Sequence, residues 1–309
     1  MSTTLVTGGA GFIGANLIPT LLQGGTRVRV LDSLATGDPS RLSPQVELVE
    51  GDVRDPDALA RAAAGVDAVI HLAAAGSVAE SVADPLPNFE TNARGTLLTL
   101  NAAMQAGVER FVFASTGGAL IGDAEPPVDE TSLPRPISPY GASKLAGEGY
   151  CHAFRGSYGL NTIALRFANV YGPHSERKKG ALTAFIQRAM RGDPLEIFGD
   201  GEATRDFIYV GDLCAGILAA HERRDVQGVL HLASERETTI AGLARLVLDA
   251  VGSDSEIVNL DRRRGEVERN FAIARRAGEV LGWRAEVSLE EGIARTVAWF
   301  RETADVNTR

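Results

Sequence analysis

A chain of 309 residues is long enough for about two domains and for a core that needs neither disulfides nor a metal. Hydrophobic residues make up 44 % and charged residues 23 %, a globular profile that excludes a disordered chain and a fibrous repeat. The formal charge of −9 disfavours recognition of a phosphate backbone, so we expect no nucleic-acid partner.

The start of the chain and its cysteines bear on where the protein works. Met1 is followed within four residues by an apolar segment, and there is no basic stretch and no run of about 20 apolar residues. We therefore expect no secretory signal and no membrane span. Cys151 and Cys214 lack metal-ligand spacing and are interpreted as small buried residues, so no metal site is expected. A reducing, cytoplasmic location follows as a prediction.

Short apolar runs alternate with amphipathic stretches through the first half of the chain. Strands are predicted at 4–6, 27–31, 46–50, 68–72, 110–114 and 162–167. Helices are predicted at 12–22, 56–64, 89–106 and 139–158. Because the strands are continuously apolar, they indicate a parallel sheet covered on both faces. The right-handed crossover rule then predicts an α/β fold with a doubly wound parallel sheet, the Rossmann arrangement.

The second half is less regular. A short strand is predicted at 195–198, a strand followed by a helix over 203–220, and a further helix over 238–251. We expect a first domain over residues 1–170, to which 203–222 returns. Residues 171–202 and 223–309 would form a smaller C-terminal α/β lobe over the carboxyl ends of the strands, where such sheets bind ligands.

A glycine-rich turn joins the first predicted strand to the first predicted helix. Residues 7–14 read TGGAGFIG and place Gly8, Gly11 and Gly14 at the spacing GxxGxxG, with GxGxxG overlapping it. Such a turn lets backbone N–H groups and a helix N-terminus approach a pyrophosphate. Asp32 ends the second strand, where a carboxylate binds the adenosine ribose and repels a 2′-phosphate. The combination predicts NAD, rather than NADP, as the cofactor.

Further cofactor contacts are predicted on either side of this turn. Phe12 and Ile13 lie within the glycine motif itself. Asp52 and Val53 follow the third strand and could reach the adenine edge; the alternative for Asp52 is a solvated turn residue.

A tyrosine and a lysine share one face of the helix predicted at 139–158. Ser138 is the expected N-cap, and Tyr140 and Lys144 stand four residues apart. An ammonium about 4 Å from a phenol would lower the phenol pKa by roughly 3 units and make it a useful general base at neutral pH. A Y-x-x-x-K spacing occurs by chance on many helices, but beside a dinucleotide motif it predicts a catalytic pair.

The motifs of the whole chain, taken in order, resemble those of the extended short-chain dehydrogenases. The segments that carry the resemblance are TGGAGFIG (7–14), HLAA (71–74), FVFAST (111–116), YGASK (140–144), LRFANVYGP (165–173) and RDFIYVGD (205–212). Within this group the chain is similar to the NAD-dependent epimerase/dehydratase branch that acts on nucleotide sugars, and most similar to UDP-galactose 4-epimerases.

The resemblance implies roles for individual residues. Tyr140 would take the proton of the sugar 4-hydroxyl, while Lys144 would lower the phenol pKa and hold the nicotinamide ribose. Thr116 would hydrogen-bond the reacting oxygen; the alternative is a strand-end hydroxyl that ties down a loop. The cofactor would also contact Tyr140 itself, and Leu72, Ala73, Ala74 and Asn92. The substrate would also be bound by Asn169, Arg177, Phe198, Arg205, Arg263 and Glu266.

The loop after the fifth strand bears on the reaction. Nucleotide-sugar dehydratases and decarboxylases carry acids just after the Ser or Thr, whereas Thr116 is followed by Gly117, Gly118 and Ala119. Elimination is therefore disfavoured, and the expected reaction is 4-epimerisation of a UDP-hexose (UDP-glucose or UDP-galactose) through a transient 4-keto sugar. Relatives often carry Tyr where this chain has Ile121, and we have no physical account of that change.

Three questions stay open at this point. Residues 174–180 form a basic loop, either solvated or a cationic lid on the diphosphate or on a C6 carboxylate, which would make the substrate UDP-glucuronate. Asn270 is smaller than the Tyr of some relatives, so UDP-N-acetylhexosamines remain candidates. A non-catalytic NAD-binding sensor or scaffold is the alternative of another class. Relatives dimerise through helices that correspond to 89–106 and 139–156, so a homodimer is expected.

Overall fold

The computed structural model describes residues 2–262 and 267–306 of the chain. Its strands are β1 Thr3–Thr7, β2 Arg27–Asp32, β3 Glu47–Glu50, β4 Ala68–His71, β5 Arg110–Thr116, β6 Thr162–Phe167, β7 Asn169–Tyr171, β8 Leu195–Phe198, β9 Thr204–Arg205, β10 Phe207–Tyr209, β11 Gly228–Leu232, β12 Thr238–Thr239 and β13 Ile257–Leu260.

The helices alternate with these strands in the first half and cluster towards the end. They are α1 Phe12–Gln23, α2 Pro56–Ala63, α3 Val78–Ala83, α4 Pro85–Asn88, α5 Gly95–Gln105, α6 Gly118–Ile121, α7 Pro139–Tyr158, α8 Ala181–Arg191, α9 Val210–Glu222, α10 Ile240–Val251, α11 Arg275–Leu281 and α12 Leu289–Val306. A 3₁₀ turn spans Pro39–Arg41 and a π-helical turn spans Phe89–Arg94, so the predicted helix 89–106 is divided into that turn and α5.

The central sheet has seven parallel strands in the order β3-β2-β1-β4-β5-β6-β11. The strand order changes direction between β1 and β4, and the carboxyl ends of these two strands border a crevice where such sheets bind ligands. The predicted doubly wound parallel sheet is confirmed.

One strand lies elsewhere than expected. Gly228–Leu232 pairs with β6 in parallel register, with Leu230 opposite Leu165, and completes the main sheet. The expectation that all of 223–309 belongs to the second lobe is therefore wrong for β11. The cause is an insertion: residues 172–203 interrupt the crossover from β6, so its helix α9 and strand β11 come late in the chain.

Both faces of the sheet and the second lobe have their own apolar clusters. On one face α1 and α9 contribute buried residues such as Leu17 and Ile217; on the other, α2, α5 and α7 contribute residues such as Leu100 and Phe154. The lobe packs α8, α10 and α12 around a third cluster that includes Phe185. Cys151 and Cys214 are buried free thiols.

Membrane-spanning helices and metal clusters are both absent from the described ranges. Within 2–262 and 267–306 no helix is long and apolar enough to cross a bilayer. The same ranges contain no group of three or more His, Cys, Asp or Glu side chains placed to hold a metal ion.

Candidate active site

The glycine turn is built so closely that side chains at two of its positions would collide with backbone. Gly8 has φ +68°, and a Cβ there would lie 2.8 Å from the backbone of Ala73 across the crevice. A Cβ on Gly14 would lie 2.2 Å from the carbonyl oxygen of Gly9. Helix α1 begins after Gly11 with no side-chain cap, so its N-terminus is presented by backbone alone. This arrangement suits a bound phosphate.

Asp32 lies against the same turn. Its carboxylate is buried and accepts hydrogen bonds from the backbone N–H of Ala10 (3.0 Å) and of Leu34 (2.9 Å). Leu34 adopts φ +57°, which lets the chain turn back around the carboxylate. The negative charge is thereby fixed at the carboxyl end of β2, beside the phosphate-binding turn.

The opposite wall of the crevice follows β4. Leu72 and Ala73 are bonded to Thr7 of β1, through its carbonyl (3.1 Å) and its hydroxyl (3.3 Å) respectively. Asn92, in the π-helical turn, accepts from the N–H of Ala75 (2.8 Å) and donates to the hydroxyl of Ser143 on α7 (3.1 Å). Asn92 therefore ties the loop containing Ala74 to the helix that carries Tyr140.

Asp52 and Val53 are placed at the far end of the crevice, after β3. Arg54 donates to the Asp52 carboxylate at 2.7 to 2.9 Å and holds its pKa below the usual range. Val53 is buried, and its Cγ2 is 2.9 Å from where a Cβ on Gly95 would lie. A contact of these two residues with adenine stays a prediction.

Tyr140 and Thr116 meet at the carboxyl end of β5. The hydroxyl of Thr116 acts on the Tyr140 phenol and lowers its pKa, and the backbone N–H of Tyr140 donates to the hydroxyl of Ser81 (3.2 Å). Ser138 caps α7 as predicted, accepting from the N–H of Gly141 (3.2 Å), so the helix presents Tyr140 in its first turn.

Lys144 lies one turn further along α7 and is buried. Its Nζ donates to the carbonyl oxygen of Ala114 in β5 (2.8 Å) and lies 5.0 Å from the centroid of the Phe113 ring. Burial lowers the pKa of Lys144 to about 8. The lysine is therefore held against the strand that ends in Thr116 and remains charged at neutral pH.

The pKa of Tyr140 differs from the sequence-based expectation. Burial raises the pKa of Tyr140 to about 12, and the hydrogen bond from Thr116 only partly opposes this. The spacing correctly placed Tyr140 and Lys144 on one helix face. It could not reveal that the ammonium is directed to the Ala114 carbonyl, nor that burial dominates the pKa of the phenol.

Asn169 and Arg205, the predicted diphosphate contacts, lie on neighbouring segments beyond β6. Asn169 donates from its backbone N–H (2.8 Å) and its side-chain amide (3.2 Å) to the carbonyl of Asp206. The buried Asp206 carboxylate accepts from the N–H and hydroxyl of Ser234 at 2.9 and 2.8 Å. Desolvation raises the pKa of Asp206 to about 6. Asp206 thus connects both predicted diphosphate contacts to the end of β11.

The basic loop 174–180 lies across the loop that follows β2. Arg177 approaches the carboxylate of Asp38 (3.5 Å) and the carbonyl of Thr36 (3.3 Å), while Lys179 pairs with Glu80. Lys178 is bonded to the carbonyl of Val170, and burial lowers its pKa to about 8. The described contacts of Arg177 are thus on the Asp32 side of the crevice rather than beside Asn169.

The remaining predicted substrate contacts lie in the second lobe. Phe198 ends β8 and is half-buried, opposite Leu260 of β13. Arg263 and Glu266 lie outside the described residues.

Asn270, which the sequence had already raised as a candidate, lies near the site together with two charged residues, Arg166 and Glu148, that the sequence analysis did not single out. Asn270 is buried beside Gly118, with its Oδ1 3.0 Å from where a Cβ of that glycine would lie. Arg166 on β6 and Glu148, one turn beyond Lys144 on α7, form a buried ion pair. A charged residue inside the apolar strand 162–167 was the available signal, because charges in buried strands need partners.

The fold and this site define a dinucleotide-dependent enzyme of the doubly wound α/β class. The family model for the NAD dependent epimerase/dehydratase family matches residues 4–233, and the chain belongs to that family. NAD is the cofactor of the family, and the glycine turn, the uncapped start of α1 and the Asp32 carboxylate fit it.

Solved structures match over almost the whole chain. UDP-glucose 4-epimerase from Thermotoga maritima, determined with UDP-glucose, is 38 % identical, with a TM-score of 0.94 and coverage of 98 % of this chain and 99 % of that one. The UDP-glucose 4-epimerase of Thermus thermophilus, in complex with NAD, is 37 % identical, with a TM-score of 0.92 and coverage of 97 % and 99 %. A UDP-N-acetylglucosamine 4-epimerase from Methanobrevibacter ruminantium is 31 % identical, with a TM-score of 0.92 and coverage of 98 % and 99 %.

Proposed function

We propose that the protein is an NAD-dependent 4-epimerase of a UDP-hexose, with UDP-glucose and UDP-galactose as its substrate pair. The observation that carries the proposal is the pair of hydroxyls, Thr116 and Tyr140, that meet at the carboxyl end of β5 beside the cofactor crevice. The likeness to UDP-glucose 4-epimerases over the whole chain supports the same reaction.

In this proposal the chain's own groups handle the proton of the sugar 4-hydroxyl. NAD, which the glycine turn and Asp32 would hold, would supply the hydride acceptor and donor for C4 when bound. Tyr140 takes the hydroxyl proton as C4 is oxidised and gives it back as C4 is reduced. Thr116 would hydrogen-bond the same oxygen, and Lys144, one helical turn further along α7, would place a positive charge on the same helix face as the phenolate that forms.

The absence of an acid directly after Thr116 supports epimerisation over dehydration. Residues 117–119 are two glycines and an alanine, and Gly117 packs against the His231 ring. No side chain of this segment could move a proton at C5 or C6, so oxidation at C4 would be followed by return of the same hydride to the other face.

The candidate substrates differ in the substituents at C2 and C6 of the sugar. UDP-glucuronate and UDP-N-acetylhexosamines are the other candidates. The buried amide of Asn270 beside Gly118 has its Nδ2 without a hydrogen-bond partner among the described residues, which would suit a polar sugar substituent. The described contacts of Arg177 with Thr36 and Asp38 give no support to a C6 carboxylate.

A substrate panel tests the proposal. UDP-glucose, UDP-glucuronate, UDP-N-acetylglucosamine and dTDP-glucose are each incubated with the purified protein, without added cofactor, and inversion at C4 is followed by proton NMR. UDP-glucose is expected to give the fastest inversion. Faster turnover of UDP-glucuronate would identify the carboxylate sugar as the substrate. Protein that releases NAD on denaturation but inverts none of them would favour a non-catalytic sensor or scaffold.

We also propose that the protein works as a homodimer that pairs α5 and α7 with the same helices of a second copy. Phe89, ahead of α5, is 54 % exposed and Tyr150 on α7 is 37 % exposed, which is unusual for aromatic side chains on helices. Light scattering coupled to gel filtration should give twice the chain mass. Tyr150→Glu should shift the mass towards that of one chain, and a wild-type mass of one chain would contradict the proposal.

A further inference from the structure

Four polar side chains form a buried row that begins at Ser115, the residue before Thr116 in β5. Ser115, Arg166 and His231 occupy laterally paired positions on β5, β6 and β11, and Glu148 reaches them from α7. All four are at most 8 % exposed. We call Ser115, Glu148, Arg166 and His231 the support cluster. A charged row in the middle of a sheet is costly unless its members are paired.

The charges of the support cluster balance within a single ion pair. Arg166 donates to both carboxylate oxygens of Glu148, from Nε at 2.9 Å and from Nη2 at 2.8 Å. The Ser115 hydroxyl donates to the same carboxylate at 2.7 Å. A two-pronged pair of this kind fixes orientation as well as distance. Glu148 is therefore held rigidly against β5 and β6.

The cluster and Lys144 attach α7 to consecutive residues of one strand. Lys144 binds the carbonyl of Ala114, and Glu148, four residues later on the same helix face, accepts from Ser115. The next residue of β5 is Thr116, which hydrogen-bonds Tyr140. Both ends of the proposed catalytic pair thus depend on how α7 is seated on β5.

His231 extends the cluster to the loop that follows Thr116. Its Nδ1 is 3.2 Å from where a Cβ on Gly117 would lie, and its backbone N–H donates to the Glu130 carboxylate at 2.8 Å. Burial and the neighbouring Arg166 lower the pKa of His231 to about 4, so the ring is uncharged at neutral pH. Arg166 and Glu148 therefore carry the charge of the cluster.

We propose that Glu148 and Arg166 are positioning residues for the reaction, and that Arg166 cancels the Glu148 charge that would otherwise act on Lys144. The effect on catalysis rests on the proposed function, whereas the charge balance at Lys144 does not. The other titratable groups near Lys144 carry no charge that could substitute for that of Glu148 or Arg166. His71 on β4 is uncharged, because burial and Lys144 lower its pKa to about 3. Burial raises the pKa of the Cys151 thiol on α7 and keeps it protonated.

The chain offers a direct probe, since its only lysines are Lys144, Lys178 and Lys179. Protein grown with [¹³C]lysine therefore shows three side-chain ε-carbon signals, and Lys144→Met identifies the signal of Lys144. Its titration midpoint reports the balance of charge around α7 without any need for turnover. Lys178 and Lys179 lie in the basic loop and serve as internal references.

Removing the Glu148 charge and removing the Arg166 charge should move the titration midpoint of Lys144 in opposite directions. Glu148→Gln leaves the Arg166 charge unbalanced and should lower the midpoint by about one pH unit, while Arg166→Met should raise it by a similar amount. The double variant should return it close to the wild-type value. A midpoint unmoved in Glu148→Gln, or moved in the same direction by both changes, would overturn the proposal.

A second buried arginine, Arg110, provides a control that distinguishes a loss of stability from a change in the Lys144 titration midpoint. Arg110 begins β5 at the opposite end and donates to the carbonyl of Val226 (2.8 Å). Arg110→Met should cost stability but leave the Lys144 midpoint unchanged. Arg166→Met is the variant most at risk of not folding, because it strands a buried carboxylate. In that case Glu148→Gln, which keeps the side-chain shape and one acceptor oxygen, decides the proposal alone.

Activity provides the second readout. With UDP-glucose, Glu148→Gln should lower kcat about tenfold and leave KM within twofold, because the substrate contacts are elsewhere. An unchanged kcat would refute the positioning role, whatever the lysine titration shows. If no nucleotide sugar is turned over by the wild type, the proposed function fails, and the titration still tests the charge balance.

Discussion

The cofactor side of this crevice and the side that we propose for the substrate, called the substrate side below, are constructed in different ways. On the cofactor side, neighbouring residues of one strand–turn–helix unit form the wall, and Gly8, Gly14 and Asp32 act through backbone geometry and one carboxylate. On the substrate side, each polar group comes from a different segment and depends on its neighbours, as Asn169 depends on Asp206. The first kind of site can be read from a motif, whereas the second exists only after folding.

The largest expected effect separates chemistry from cofactor binding. Tyr140→Phe removes the proposed base but keeps the ring, and turnover of UDP-glucose should fall at least ~100-fold. The purified protein should still contain NAD, because the glycine turn and Asp32 are untouched by the substitution. A rate near that of the wild type would show that another group moves the proton.

The next effect concerns the stability of the substrate side. The folded-state pKa of Lys144, about 8, lies below its ordinary value of 10.5, so folding disfavours its protonated form. The lysine's contribution to stability is therefore present above pH 10.5 and lost as pH falls through 8. Relative to Lys144→Met, the wild type should gain about 3 kcal/mol of unfolding free energy between pH 7 and pH 10.5.

Urea unfolding of the two proteins at several pH values measures this difference. If the difference in unfolding free energy between the wild type and Lys144→Met stays constant from pH 7 to pH 10.5, Lys144 is not desolvated in the folded protein. The proposed cation beside Tyr140 would then be open to water and much weaker.

A smaller change should affect only the cofactor side. Asp32→Asn removes a charge at the end of β2 and should weaken NAD binding roughly 10-fold, since hydrogen bonds to charged groups are the stronger ones. Discrimination against NADP should decrease at the same time, because the repulsion of the 2′-phosphate is lost. Asp38→Asn, in the loop that follows β2, is the control and should bind both cofactors as the wild type does.

The smallest effect is expected in the basic loop. Arg177 is 57 % exposed at its side chain and faces Asp38, and exposed ion pairs contribute little. Arg177→Ala should therefore change KM for UDP-glucose less than about twofold. A tenfold rise in KM would mean that the loop closes on the substrate, and would restore the idea of a cationic lid.

Local signals account for what could be predicted from the sequence. The N-cap Ser138 is a local signal, and α7 begins directly after it and covers the predicted range 139–158. The strand β11 was assigned to the wrong lobe because an insertion separates it from its partner β6, and pairing across some sixty residues leaves no local pattern.

The electrostatics of the site could not be predicted from the sequence for a related reason. The spacing of Tyr140 and Lys144 gives a shared helix face but neither burial nor the direction of the ammonium, so the predicted fall in the Tyr140 pKa was wrong in sign. The partnership of Glu148 with Arg166 likewise joins a helix to a strand. Such contacts are set by tertiary packing and require coordinates.

The central claim is that one hydride leaves C4 of the sugar and returns to the same carbon from the other side. UDP-glucose deuterated at C4, incubated without added cofactor, tests this directly when the product is examined by NMR and mass spectrometry. The account predicts UDP-galactose that retains the deuterium at C4. Loss of the label to water, or recovery of UDP-glucose alone from protein that contains NAD, would contradict it.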